Sequence, residues 1–338
     1  MLEVNSNVRN HSTGDPESVS FLVQVVHLYY QRHKTQKEVA ERLGVSAMTV
    51  SRALKRAEEE GLVEVRLHLP LQNDTALEVA LKAKLGFREV FVVDPMDKGL
   101  SPEDWSDPSR LDLLGQATAL FSQSALQDGL VLGTALGRTV SYVAKHLPRQ
   151  RLRNAKVVQL MGGLGTSDAQ NPYNVVQAVS ERLDAQGSYF SGAAFVANKT
   201  VQSAMLQENI RSGLRDLWRA CTLCLMGIGS CTLNPPPYVD SGLITEEEFS
   251  AVVRSGAVGD ILGRYFNLEG RLITSSLQDR VNSIPLSDLE HINQVVISAG
   301  GPGKVFPIIG VARTGLPVSL VTDSDTARAV LKHLDAKT

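Results

Sequence analysis

The stretch Thr35–Ala57 constrains this chain more than any other. Thr35 and Glu38 have the spacing of a capping box, in which the hydroxyl accepts from the third-position amide and the Glu reaches back. Val39, Ala40 and Leu43 make the inner face of the helix so opened, and Gly44 suits the left-handed turn that ends one. Ser46 is the next N-cap. Ala47, Val50, Leu54 and Ala57 read as the buried stripe of a second helix, with Met48, Thr49, Ser51, Arg52, Lys55 and Arg56 on its outer face. From Arg42 to Ala57 there are four basic residues and no acidic one. A helix seated in the DNA major groove needs such a face. Cations neutralise phosphates, and short side chains allow close approach to base edges. The pattern is a helix-turn-helix; the bland alternative is a three-helix bundle with a solvated basic face. The expected DNA contacts are Gln36, Ser46, Ala47, Met48, Thr49, Ser51, Arg52 and Arg56. An amphipathic helix from Ser20 to about Arg32 precedes this motif. Gly61 ends the third helix, and the alternation Val63–His68 reads as a strand of a small wing.

A chain of 338 residues is expected to hold two or three domains. The formal net charge is -2, so any grip on nucleic acid has to be local. Cys221, Cys224 and Cys231 form no disulfide framework and point to a reducing, cytoplasmic setting. They read as buried thiols, because Cys221 and Cys224 fall in an apolar run and no His accompanies Cys231. No metal or cofactor is expected. The polar N-terminus lacks a leader's apolar core, and no apolar run has the length of a membrane span, so no membrane partner is expected. The reading divides the chain into a flexible arm (1–18), a helix-turn-helix head (19–69), a linker with a short helix (70–86) and an effector-binding, oligomerising domain (87–338). Leu77, Ala80, Leu81 and Leu85 share a stripe of the short helix. It either packs on the following domain or spaces two heads.

Beyond Gly86 strands and helices alternate. Candidate strands are 89–93, 130–133, 156–161, 189–196, 221–226, 294–298 and 317–322. Candidate helices are 110–126, 139–147, 175–184, 199–206, 245–255 and 325–334. Apolar strands alternating with helices predict a largely parallel sheet covered on both faces, an α/β fold. Ligands in such folds sit at the carboxyl ends of strands. Four glycine-containing loops follow predicted strands: Gly133–Thr139, Gly162–Gly165, Gly227–Gly229 and Gly300–Lys304. The first offers amides at a helix start, a Thr hydroxyl and the Arg138 guanidinium, a set suited to phosphate or carboxylate. The last is no nucleotide P-loop, since Val305 follows the Lys where Ser or Thr is needed. Singly, each loop reads as a tight turn; together, on one side of a sheet, they favour a small-molecule site. Asp260 reads as a helix cap or as a carboxylate for sugar hydroxyls, and Lys304 as a phosphate counter-charge or a surface lysine. No Ser–His–Asp arrangement or paired carboxylates stand out.

The order of these features resembles the SorC-type, sugar-binding transcriptional regulators of bacteria, over about residues 20 to 335. The matching residues are Tyr29-Tyr30, Thr35-Gln36 through Gly44-Val45-Ser46, Thr49–Arg52, Arg56–Val63, Gly133–Thr139, Gly227–Gly229, Ala257–Ile261, Gly300-Gly301 with Lys304, and Leu320–Asp323 with Thr326-Ala327. The resemblance implies a winged helix-turn-helix head and a Rossmann-like effector domain related to sugar-phosphate isomerases, without turnover. It implies double-stranded operator DNA as partner, a sugar, polyol or sugar-phosphate effector, and a homodimer or tetramer. By it, Gly137, Arg138 and Thr139 would meet the ligand phosphate with Lys304 assisting, and Asp260 the sugar hydroxyls. Gly133, Thr134 and Gly163 complete the candidate effector set. Leu136 stands where many members have Trp, and Val305-Phe306-Pro307 replaces small residues; both are expected to alter the pocket wall. The alternative class is an active isomerase-like enzyme fused to a DNA-binding head; a weaker third option is an architectural DNA-binding protein.

Overall fold

The computed structural model describes residues 18–60, 62–63, 71–94, 108–232 and 236–336. All of the expected arm but Ser18, the helix end at Gly61 and the wing strand from residue 64 onward lie outside the described residues. The chain divides into two compact units, Met1–Pro70 and Leu71–Thr338.

In the first unit, α1 (Val19–Val26) starts at Ser18, whose hydroxyl accepts from the Phe21 amide at 3.1 Å. It runs on into a π-turn, His27–Gln31. Helix α2 (Gln36–Leu43) opens on the capping box: the Glu38 amide donates to Thr35 Oγ1 at 3.2 Å, and the Thr35 amide donates to Glu38 Oε2 at 2.8 Å. That amide, helped by Lys34, holds the Glu38 carboxyl down at about 2. Gly44, at φ 67°, closes the helix. Ser46 Oγ then accepts from the Thr49 amide at 3.1 Å and opens α3 (Ala47–Glu59). Phe21, Leu22, Val25, Val39, Ala40, Val50, Ala53 and Leu54 form the core. Ala53, not Ala47, completes the buried stripe. Ala47 is exposed, because it lies in the first turn at the stripe's edge and nothing precedes it on the helix.

The second unit begins with β1 (Gln72–Asn73), α4 (Thr75–Leu85), β2 (Val90–Asp94) and α5 (Pro108–Phe121). Then come β3 (Val131–Thr134), α6 (Arg138–His146), β4 (Lys156–Gln159), α7 (Pro172–Leu183) and β5 (Gln186–Ser188). Next are α8 (Lys199–Arg211), α9 (Leu214–Ala220), β6 (Leu223–Met226), α10 (Pro237–Asp240), α11 (Glu246–Arg254) and the pair β7 (Ala257–Ile261) and β8 (Arg264–Asn267). The chain ends through α12 (Leu286–Leu289), β9 (Gln294–Ser298), α13 (Val305–Ala312), β10 (Val318–Asp323) and α14 (Ser324–Asp335). Among the described residues, eight strands form one sheet in the order β1-β2-β10-β9-β6-β3-β4-β5. All neighbours are parallel except β1 on β2. Successive residues of a strand feed two separate apolar cores. Val158, Cys224, Ile297 and Leu320 face one, and Val157, Leu225, Val296 and Val321 the other. Burial on both faces is why these strands read as continuous apolar runs.

In the 70–86 stretch β1 joins the sheet, and Leu81 and Leu85 of α4 are buried in the larger unit's core, the packing alternative of the two. The strand expected over 189–196 is irregular, and the sheet strand is the preceding Gln186–Ser188. Asn209 takes the ladder's place at Ser191, accepting from its amide at 2.8 Å and donating to its carbonyl at 3.1 Å, while Ala193 and Phe195 keep isolated bridges to Gly163 and Val281. The β7–β8 hairpin escaped notice. Its two turn residues, Leu262 and Gly263, both have positive φ (53° and 77°), and Leu gives no sign of such a turn. Among the described residues no helix is long and apolar enough to cross a membrane.

Helices α5 and α6 touch at backbone distance. A Cβ on Gly115 would lie 2.7 Å from the Tyr142 carbonyl carbon. Gly115→Ala should therefore destabilise the larger unit by about 1–3 kcal/mol through overpacking. Urea unfolding should show a lower midpoint at unchanged slope, whereas Leu120→Ala, at a half-exposed position of the same helix, should barely move it.

Candidate effector cavity and DNA-facing helix

The sheet order reverses between β3 and β6. From β3 the chain steps outward through β4 and β5, then returns to β6 on the other side of β3 and moves on to β9 and β10. The segments leaving the two strands diverge to opposite faces: Val140 and Val143 of α6 enter one core, Tyr238 and Val252 the other. Divergence of this kind opens a crevice at the carboxyl ends of the strands. A cavity of about 400 Å³ occupies that place. The loop after β3 supplies Leu136 through Thr139, the loop after β6 supplies Gly227 through Ser230, the end of β9 supplies Ser298, and the turn beyond it supplies Lys304.

Arg138 and Thr139 open α6, where amide N–H groups lack intrahelical acceptors and favour an anion. Asp260 enters from β7 and is 4% exposed. Its carboxylate accepts from the Gly263 amide at 2.9 Å and from the Tyr238 hydroxyl at 3.4 Å. Burial pushes its pKa up, opposed by the Gly263 amide, the Lys304 charge and Tyr238. Standing in a strand, it is no helix cap. Gly229 must be glycine, since a Cβ there would overlap the Asp260 carboxylate. Lys304 Nζ donates to the Ile228 carbonyl at 2.6 Å. Burial lowers its pKa to about 8; the Asp260 charge resists that fall and Arg138 adds to it. Burial and Asp260 push the Cys231 thiol up to about 12. The cavity thus sets two cations and a helix start against a buried carboxylate. That arrangement suits a ligand with an anionic group at one end and hydroxyls at the other.

Of the candidate effector residues, Gly137, Arg138, Thr139, Asp260 and Lys304 meet at this cavity, and Gly133, Thr134 and Gly163 do not line it. Gly133 is glycine because a Cβ would meet Cys224 Sγ of the adjacent strand at 2.7 Å. Thr134 is fully buried in β3. Gly163 bridges to Ala193, and of its loop only Met161, at the base, reaches the wall. Leu136 does line the cavity, but Val305, Phe306 and Pro307 do not. Phe306 packs edge-on against His333, and Pro307 approaches Gly259. Tyr238 went unnoticed in the sequence, because the prolines before it read only as loop. It is 3% exposed, and burial and the neighbouring Asp260 hold its phenol well above the usual range.

On the head, Met48 is 63% exposed, and Ser46, Ala47, Ser51 and Arg52 are exposed as well. Gln36, Thr49 and Arg56 are half-buried. The hydroxyls of Ser46 and Thr49 share a hydrogen bond of 2.9 Å, so both are engaged in the cap. Acidic residues one turn on reach back to the basic face: Arg56 pairs with Glu60 at 2.6 Å and Lys55 with Glu59 at 3.8 Å. Arg42 and Arg52 make no ion pair among the described residues.

A family model described as "Putative sugar-binding domain" matches residues 70–332, and one described as "Sigma-70, region 4" matches residues 23–59. The chain is 27% identical over 325 residues to the deoxyribonucleoside regulator of Bacillus subtilis, covering 95% of this chain and 100% of that protein. It is 27% identical over 320 residues to the sorbitol operon regulator of Klebsiella pneumoniae, covering 94% and 99%. The crystal structure of the full-length sorbitol operon regulator SorC from Klebsiella pneumoniae matches with a TM-score of 0.68 at 25% identity, over 92% of this chain and 98% of that one.

The Lys304 environment has a measurable consequence. An anion beside Lys304 favours its protonated form, so binding takes up a proton where the free lysine is partly neutral. Affinity for a sugar phosphate should fall as pH rises through about 8. The limit is about tenfold per pH unit, the lost fraction of binding-competent protein. Calorimetric titration between pH 7 and 9.5 measures it, and Lys304→Met should flatten the profile.

Proposed function

Because this chain belongs to the sugar-binding-domain family of SorC-type regulators, we propose that it is a transcriptional regulator whose hold on operator DNA is set by a sugar, polyol or sugar phosphate in the β3–β6 cavity. The observation that carries the effector half is the meeting of Arg138, Thr139, Lys304 and Asp260 at one cavity from three separate segments. Phosphate would sit at the start of α6 between Arg138 and Lys304, and hydroxyls would take the open acceptor capacity of Asp260. For the DNA half, α3 would enter the major groove with Arg52, Met48, Ser51 and Ala47 foremost, and Arg56 on phosphate. The chain would act as a homodimer or tetramer, so that paired heads match paired half-sites. The effector can shift the balance between DNA-competent and incompetent arrangements only by its difference in affinity for the two.

The test separates the halves. Arg52→Ala should weaken operator binding by about 1–3 kcal/mol in a gel-shift titration, with effector binding intact. Arg138→Ala should keep operator affinity and lose the response to sugar phosphates. A folded Arg138→Ala chain that still releases DNA on addition of the effector would remove Arg138 from the site. Turnover of pentose or hexitol phosphates by the wild-type chain would favour the enzyme class instead.

A further inference from the structure

We propose that Arg110 and Asp323 are positioning residues of the effector site: their buried ion pair, acting through Thr326, sets where Lys304 stands. This rests on the reading of Lys304 as an effector contact. Neither Arg110 nor Asp323 lines the cavity. Arg110 Nη1 lies 2.8 Å from Asp323 Oδ1, with side chains 1% and 0% exposed. Asp323 ends β10 and caps α14, accepting from the Thr326 amide at 2.8 Å. The Thr326 hydroxyl lies 2.9 Å from both Asp323 oxygens and donates to that carboxylate. With its lone pair it accepts from the Gly301 amide at 2.7 Å. Gly301 leads the tight turn Pro302–Lys304, and Lys304 is the last residue of that turn. The far side of the turn is tied as well, with Ser230 Oγ donating to the Gly303 carbonyl at 2.7 Å. Gly300 leaves no room for a side chain: a Cβ would overlap the Asp323 carboxylate and lie 2.8 Å from Leu114 Cδ1. A relay thus runs guanidinium, carboxylate, hydroxyl, amide, turn, ammonium.

A buried ion pair is weak evidence for stability, since apolar replacements of similar volume are often neutral or better. What this pair supplies is direction. Only a fixed carboxylate holds the Thr326 hydroxyl with its lone pair toward Gly301. Helix α5, which carries Arg110, has a second tie to the cavity: the Thr118 and Ser298 hydroxyls share a hydrogen bond of 2.8 Å, and Ser298 is a wall residue. The same helix packs through Gly115 on α6, the helix that opens with Arg138. One helix therefore braces both cationic contacts.

The experiment is competitive acylation of Lys304 across pH in the full-length chain, read by peptide mass spectrometry, beside calorimetric titration with inorganic phosphate. The unmodified chain should label with a midpoint of about 8. Thr326→Val keeps the side-chain volume and removes the relay's hydroxyl; Arg110→Lys keeps the charge and loses the fork. Each should move the midpoint up toward an ordinary lysine by about one unit and weaken phosphate by about tenfold. Arg328→Ala, on the exposed side of α14, should do neither. An unmoved labelling curve in folded Thr326→Val overturns the positioning. A moved curve with unchanged phosphate affinity instead overturns the effector role of Lys304, and the proposal with it. If neither variant folds, the unmodified chain decides by hydrogen exchange at the Gly301 amide. Slow exchange is the expected result, and exchange at the rate of an open loop overturns the relay.

Discussion

Asp260 takes a carboxylate out of water at a cost of several kcal/mol unless donors and counter-charge make up for it. The structure supplies one amide, one phenol and the field of Lys304. A carboxylate has about four acceptor sites, so two internal donors leave acceptor capacity, and Asp260 is a cavity-wall residue. Much of the local architecture follows from keeping that group in place. Gly229 is reduced to hydrogen so that the carboxylate can lie against it. Gly259 is likewise bare, since a Cβ would come within 2.7 Å of the Gly229 carbonyl oxygen. The tight turn at Leu262-Gly263 returns an amide to the carboxylate, and the short helix α10, opened by Pro236 and Pro237, carries the phenol. A buried carboxylate with spare acceptor capacity, on a cavity wall and in the field of Lys304, is suited to a binding site.

The parts of this protein that sequence reveals are those whose physics is local. The capping box at Thr35 and Glu38, the αL turn at Gly44 and the cap at Ser46 each close within a few residues, and the spacing alone identifies them. The parallel strands are legible for a related reason: burial on both faces leaves an unbroken apolar run. The cavity is different. Gly133 and Gly137 look alike within one loop. Yet the first is dictated by Cys224 on a neighbouring strand and the second by the start of α6 at the cavity. Strand order decides which loops face each other, and no residue near either loop records it. The same non-locality hid Tyr238 and the irregularity of the 189–196 run, which pairs only through isolated bridges at Ala193 and Phe195 and, at Ser191, with the distant side chain of Asn209.

The head carries its charge in a way that matters for regulation. Arg56 and Lys55 are paired one turn along the same helix with Glu60 and Glu59, in exposed geometry. Exposed pairs of this kind contribute about 0–1 kcal/mol, so exchanging a carboxylate for a DNA phosphate costs little. The exchange also gains little, because the displaced acid stays beside the phosphate. Lys37, Arg42 and Arg52 are left as the cations of α2 and α3 without an ion pair among the described residues. On the proposed reading, a single head with so few free cations would neutralise few phosphates, which makes for modest affinity.

Modest affinity per head is what a ligand-controlled reader requires. Coupling between sites in proteins amounts to about 1–3 kcal/mol. That range releases a reader held near the balance point and leaves a tightly held one in place. On the proposed reading, two weak heads bind well only while their spacing matches the operator, because the second contact is then intramolecular. An effector that alters spacing removes this advantage without touching α3. On the same reading, the cavity would register such a ligand in a stiff frame. Lys304 is held by a tight turn tied to Ser230 on one side and through Thr326 to Asp323 on the other, and Arg138 by a helix packed at backbone distance on α5. A loose cavity would absorb the ligand's pull by local adjustment. Only a cavity whose contacts are braced by the sheet's own helices turns differential affinity into displacement of whole elements.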